Sequence, residues 1–246
     1  VTNIVKLPER AYKYMELKWL HPLRTKNVIR ISHLNSYKED KFGTEIGDDD
    51  EGRIFSQISV GKYHSPADKN DDRLLRAGGI VAINTDITFE NCIFSDEHVD
   101  KNYFVFCVCL EKNPEIQKSF GSGLQIIHNF KAYIRAITHE LNKLGIVQHD
   151  AGPCEYLLDR KQHFTEEDFT SDEKEIILKK PYLVKDKKYE YQNEFRVVWR
   201  YKDNREIKKE EYIKISKEVI ENYSYLIDLE EQERNKNKRK KKRKKK

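Results

Sequence analysis

The chain reads as an α+β protein: a mixed, mostly antiparallel sheet core with one long helix and a disordered basic C-terminal tail. Three observations predict this. Short apolar or alternating runs of strand character outnumber helical stripes. Only Asn129–Leu144 carries a long apolar stripe at helical spacing. The last thirteen residues, Arg234–Lys246, hold eleven basic side chains and no acidic one, a like-charge run that repels itself and has nothing to bury. The domain expected is a single one over 1–233, with 234–246 as tail.

The elements follow in order. Pro8–Leu20 predicts a short helix, with Tyr12, Met15 and Trp19 at helical spacing. Asn27–Ser32 predicts a strand with Ile29 and Ile31 on one face. Residues 37–52 are polar, acidic and glycine-bearing, so a loop is expected. Arg53–Val60 and Gly79–Asn84 predict strands, separated by a charged irregular span. Asn102–Leu110 is the most apolar run and predicts a buried central strand. A glycine turn at 120–123 leads into Leu124–Ile127. Phe130, Ile134, Ile137, Leu141 and Leu144 form the stripe of the long helix, with Gly145 at its C-terminal cap. Pro153–Leu158 reads as a strand. Thr170 and Glu173 fit a capping box opening a short helix to Leu178. Glu194–Arg200 predicts a strong strand, and Tyr212–Ile215 and Tyr225–Leu229 weaker ones.

Composition excludes several classes. Charged residues reach 36% and apolar ones 37%. The 14 Tyr, 11 Phe and 2 Trp argue against wholesale disorder. No eighteen-residue apolar stretch exists, so no transmembrane helix and no membrane partner are expected. No apolar signal core opens the chain. Cys92, Cys107, Cys109 and Cys154 lack disulfide or zinc spacing, so a reducing cytoplasm and no bound metal are the natural reading. The net charge of +5 conceals an asymmetry: removing the tail's eleven from 47 basic residues leaves 36 against 42 acidic, a body charge of −6. Phosphate-loop, dinucleotide and serine-elbow motifs are all missing from the sequence, which lowers the standing of the common ATPases, dehydrogenases and serine hydrolases.

The richest motif is Tyr189-Glu190-Tyr191-Gln192-Asn193-Glu194-Phe195-Arg196. In extended chain Gln192 and Glu194 point to one face, where a carboxylate with an amide neighbour can grip a ribose hydroxyl. The competing reading is a solvated strand end in which Glu194 and Arg196 pair. Arg30 lies opposite Ile29 and Ile31, and its planar fork suits a phosphate or carboxylate if that face is a cleft. Asp48, Asp49 and Glu51 form an acidic cluster able to hold a hard cation, though without EF-hand spacing. Cys107 and Cys109 share one face of the apolar strand, either as a site face or as small core hydrophobes.

Taken in order, these pieces resemble a family of bacterial proteins, some linked to abortive phage infection. The elements carrying the resemblance are Tyr12-Lys13-Tyr14, Ile29-Arg30-Ile31-Ser32-x-Leu34-x-x-Tyr37, Asp48-x-x-Glu51-Gly52 and Phe104–Leu110. Phe120-Gly121, Gly152-Pro153-Cys154-x-Tyr156 and Tyr189-x-x-Gln192-x-Glu194-Phe195-Arg196 complete it. More distantly, the order is similar to the ADP-ribosyltransferase fold. That resemblance implies NAD as substrate, with Arg30 on its phosphates, Glu194 on the ribose hydroxyl and Gln192 positioning the acceptor. It also implies Tyr37 or Tyr189 stacking on a ring. Cys107-Val108-Cys109 stands on the nicotinamide side, where that fold carries serines. A toxin-type role, with an antitoxin protein as partner, is implied as well. Two further classes compete: a non-catalytic nucleic-acid-binding or sensor protein of a defence system, using Arg234–Lys246, and a metal-dependent nuclease using Asp48, Asp49 or Glu51.

Overall fold

In a computed structural model of the chain, residues 6–36, 48–67, 72–170 and 178–243 are described. The protein is α+β, with several helices and mostly antiparallel sheets. Where one domain is expected, the chain divides into two compact units. Unit 1 comprises 1–47, 102–154 and 189–246; unit 2 comprises 48–101 and 155–188. Unit 2 is thus made of two excursions from unit 1, a non-local arrangement with no signature in local periodicity.

Unit 1 is built on an eight-stranded sheet. Its strands are β1 (Ala11–Met15), β2 (Val28–His33), β5 (Phe104–Cys109), β6 (Gly123–Ile127), β7 (Ile146–Pro153), β11 (Glu194–Tyr201), β12 (Glu211–Lys214) and β13 (Ser224–Asp228). β5 is central. Along one edge it pairs antiparallel with β11 through its whole length, Phe104 opposite Trp199 to Cys109 opposite Glu194. The other edge is shared: β2 pairs at Phe104 and Val105, and β1 pairs at Cys109. Between them, among the described residues, the edge at Phe106–Val108 has no strand partner, so the sheet is split at its centre. β6 and β13 continue from β1, β12 continues from β2, and β7 lies beyond β11.

Strand alternation sorts the two faces. Phe104, Phe106 and Val108 join Phe195, Val197 and Trp199 in the main core. Helix α4 (Phe130–Asn142) covers that face with Phe130, Tyr133, Ile134, Ile137 and Leu141, and Asn129 caps it by accepting the Ala132 N–H. The expected stripe holds except at Leu144, which is exposed beyond the helix end. Trp199 donates its indole N–H to the Thr138 hydroxyl at 3.0 Å, satisfying the one polar atom of this buried ring.

Pro8–Leu20 is not a helix. Residues 11–15 enter the sheet as β1, and helix α1 (Leu17–Lys26) follows. Aromatic strand formers at Tyr12 and Tyr14, alternating with the core-facing Ala11 and Met15, outweigh the helical spacing. Gly121, at φ 100°, ends helix α3 (Pro114–Phe120) directly against β1. A Cβ there would stand 2.9 Å from the Glu16 Cα, so only glycine fits.

Unit 2 centres on a three-stranded sheet of β3 (Arg53–Ser65), β4 (Ile87–Val99) and β9 (Lys161–Thr165), in the order β4-β3-β9. Helix α2 (Arg73–Ala77), capped by Asp72, packs Leu74 and Leu75 with Ile54, Ile58 and Phe164. A second pair, β8 (Glu155–Leu157) with β10 (Val184–Asp186), is parallel. The expected strand over 79–84 is non-strand chain, and the strand that follows is β4. The expected capping box falls largely on 171–177, outside the described residues.

The tail departs from expectation. Leu229–Arg243 forms helix α6, with Glu230 and Glu231 in its first turn and the Asp228 carboxylate accepting the Glu231 N–H. That cap and the acidic first turn complement the helix dipole, and Lys, Arg, Glu and Gln all propagate helix well. Among the described residues, no helix is long and apolar enough to cross a membrane.

Candidate functional site

The sheet face opposite α4 carries the candidate residues. Arg30 and Ser32 of β2 project there, because Ile29 and Ile31 project into the core. Cross-strand register then carries the same face across the sheet. Ser32 lies opposite Val105, and Val105 opposite Val198. Two positions along, Cys107 lies opposite Arg196, and Cys109 opposite Glu194. Arg30 and Glu194 are therefore on one face of one sheet, on strands flanking β5.

Glu194 is buried and takes a 2.6 Å hydrogen bond from Arg196 Nε. The side chains are 7% and 1% exposed, so this is an internal ion pair. The Glu194–Arg196 pairing expected of a solvated strand end is present, but it is not solvated. The Cys107 thiol donates to Glu194; burial, then the adjacent carboxylate and this hydrogen bond, push the thiol far above its ordinary range. Cys107 is a neutral hydrogen-bond donor here, not a thiolate nucleophile. Cys109 packs with Tyr14, Ile116 and Leu124 among the core hydrophobes.

Gln192 and Glu194 are not consecutive same-face residues of one strand. Gln192 ends a 3₁₀ turn over Lys187–Gln192, Asn193 is left-handed at φ 40°, and β11 begins only at Glu194. An asparagine tolerates that conformation better than most side chains. Gln192 and Tyr189 are each 1% exposed, so the Tyr189 ring presents no open face for stacking. Tyr37 lies outside the described residues.

Arg30 is held by neighbours that the motif did not reveal. Its guanidinium sits over the Trp19 ring of α1 at 4.7 Å, and its Nε is 3.6 Å from Glu210. Tyr212, opposite Arg30 on β12, tilts against Trp19 with centroids 6.3 Å apart. An aromatic companion of Arg30 is thus Trp19.

In the sequence Lys13 stands only as the middle residue of a Tyr-Lys-Tyr run. From β1 its ammonium donates to the Cys107 carbonyl at 2.9 Å, on the edge that no strand covers among the described residues. It also lies 4.3 Å from the Phe106 ring centroid. Burial lowers its pKa, and Arg30 lowers it further, while Cys107, Cys109 and Glu194 act to raise it. A cue was available in principle: a lysine between strand-forming aromatics, out of phase with them, on the strand that docks against the most apolar run.

The acidic cluster opens unit 2. In unit 2 Asp48 and Glu51 are buried. Arg160 donates to the Asp48 carboxylate, to the Asp50 carbonyl, and to the Arg53 carbonyl at 3.1 Å. Burial and Glu51 raise the Asp48 pKa; Arg160 and Lys185 oppose them. Among the described residues, no group of three His, Cys, Asp or Glu side chains could hold a metal ion. The Asp48 carboxylate, paired with Arg160 and accepting the Asp50 N–H, fastens the turn that opens β3.

No protein-family model, no curated protein and no solved structure matches the chain.

Proposed function

We propose that the face shared by β2, β5 and β11 binds NAD, and that the chain is an ADP-ribosyltransferase-like protein. The observation that carries this reading is the register bringing Arg30 and Glu194 to one face of one sheet. Breaking the bond between nicotinamide and ribose leaves an oxocarbenium-like cation. The Glu194 carboxylate, fixed by Arg196 and Cys107, would accept the ribose 2′-hydroxyl and stabilise that charge as it develops. Arg30 would take the pyrophosphate through charge-assisted hydrogen bonds. Nicotinamide leaves with the bonding electron pair, and the acceptor nucleophile supplies the new bond to the ribose carbon.

The test is nicotinamide release from NAD by the purified chain, followed by chromatography, with Glu194→Gln as comparison. Release by wild type and its loss in the variant support the reading. Equal release from both removes Glu194 from the role.

A second reading has one observation in its favour. The basic run is carried on α6, so Arg234, Lys236 and Lys238 are presented as exposed cations on one helix. Such an arm would capture a polyanion such as nucleic acid through phosphates, independently of NAD.

A further inference from the structure

Past Leu229, helix α6 carries no apolar side chain. Glu230, Glu231, Gln232 and Glu233 come first; then eight of the ten residues at 234–243 are basic, the other two being Asn235 and Asn237. Such a helix has no face to bury. An apolar groove on another protein takes an amphipathic helix, and a lipid interface takes an apolar face opposite the cations, so neither is a partner for α6. Arg234, Lys236 and Lys238 are exposed, and among the described residues no carboxylate pairs with them.

The helix is nonetheless fixed at its base. The Ser122 carbonyl accepts the Leu229 N–H at 2.9 Å, and the Ser122 hydroxyl donates to Glu230. The Asp228 carboxylate accepts the Glu231 N–H at 3.0 Å, and Leu229 packs beside Tyr14, Ile116 and Leu124. The cations therefore stand on a helix anchored to the sheet rather than on a free strand of chain. Arg234 and Lys238 are four residues apart, where like charges on a helix repel, and an anion lying on both sides of the helix relieves that repulsion. A helix with its side chains is about 10–12 Å across. The major groove of duplex DNA is about 12 Å wide, and its rims are phosphates. At 1.5 Å per residue the basic half spans about 15 Å, enough to reach both rims. The corresponding groove of duplex RNA is deep and narrow and does not admit it. Asn235 and Asn237 bring in the side chain that can bond an adenine edge in the DNA groove.

We infer that α6 is a major-groove element for duplex DNA, its basic half lying in the groove against phosphates of both strands. The inference rests on the reading of the basic run as a nucleic-acid-binding arm and goes beyond it in naming the duplex and the groove; it is independent of NAD. Residues 1–233, with 36 basic against 42 acidic side chains, offer a polyanion no net attraction, so binding follows α6.

Fluorescence anisotropy on the full chain tests this, with a DNA duplex of about two helical turns and an RNA duplex of the same sequence as probes. Asn237→Pro breaks the helix in its basic half without removing a charge; a chain lacking 236–246 removes most of the charge. Thermal unfolding reports that each variant is folded. Wild type is expected to bind the DNA duplex about tenfold or more tightly than the RNA duplex at one salt concentration. Asn237→Pro should lose that preference and keep only weak binding to both, and the truncated chain should lose both. Should Asn237→Pro not fold, the salt dependence of wild type replaces it: a steeper slope on DNA than on RNA, from more phosphates contacted, upholds the inference. Equal affinity or equal slope of wild type on the two duplexes, or an unchanged preference in Asn237→Pro, would overturn the groove assignment while leaving the charged arm itself in place. Binding that survives truncation would overturn both.

Discussion

Removing either partner of the Glu194–Arg196 pair strands the other charge in the interior. Both side chains are under a tenth exposed and the bond is 2.6 Å, so solvent screening offers little relief. Breaking such a pair from one side costs about 3–5 kcal/mol. For a chain of this size each kcal/mol moves the melting temperature by roughly 2–4 °C, so Glu194→Gln should melt about 6–20 °C below wild type. Arg196→Met should behave similarly. The double variant Glu194→Gln/Arg196→Met should be less destabilised than the sum of the singles by about 1–3 kcal/mol, because it leaves no bare charge. Urea unfolding of the four proteins measures this. Strict additivity, or a loss below about 1 kcal/mol for each single variant, would refute the reasoning. The result also bears on activity: any loss of turnover in Glu194→Gln must be measured at a temperature where the variant remains folded.

Further expectations concern other sites. Lys13→Met should raise the melting temperature at neutral pH, since it removes a poorly compensated charge. The sign follows from linkage: the Lys13 pKa is lowered on folding, so the unfolded chain binds more protons between that lowered value and 10.5. Wild-type stability from this group therefore rises with pH across that window, and the advantage of the variant should shrink there in melts run at several pH values. In unit 2, Arg160→Met should cost about 3 kcal/mol by leaving Asp48 bare, while added magnesium should leave wild-type melting unchanged; a magnesium-dependent rise would restore the acidic turn as a metal site. The Cys107 thiol should alkylate far more slowly in the native chain than in urea, because burial and then the adjacent Glu194 carboxylate disfavour its thiolate, as peptide mapping would show. Deleting 236–246 should weaken DNA and RNA binding and flatten its salt dependence; indistinguishable salt slopes would show that the basic segment is not the polyanion-binding element.

The parts legible in the sequence are those whose signal is local. Helix α4 announces itself because one face of it meets one sheet, so its stripe repeats every turn. β5 is legible as a continuous apolar run and β11 by its Phe, Val and Trp content, because both lie inside the sheet. β4 carries little strand signal because it is an edge strand: charged and polar residues alternate with half-buried Phe89, Phe94 and His98, which reads as irregular chain. β1 reads as helical because Tyr12, Met15 and Trp19 recur at helical spacing, and only its place beside β5 and β6 makes it a strand. Of the site, Arg30 and Glu194 were found as residues, but the burial of Glu194 depends on the strands around it and could not be read from the octapeptide. Lys13, Trp19 and Glu210 reach Arg30 or the split from distant segments, a relation that local spacing does not encode.

The central claim is that the β2–β5–β11 face binds NAD and cleaves it with Glu194. The direct measurement is steady-state nicotinamide release from NAD by wild type and Glu194→Gln, both verified as folded at the assay temperature by circular dichroism. Wild type is expected to turn over. The variant is expected to lose about 100-fold or more in kcat with little change in KM, since the charge that Glu194 stabilises develops only in the transition state. Absence of nicotinamide release from folded wild type, or equal kcat in the two proteins, would contradict the claim.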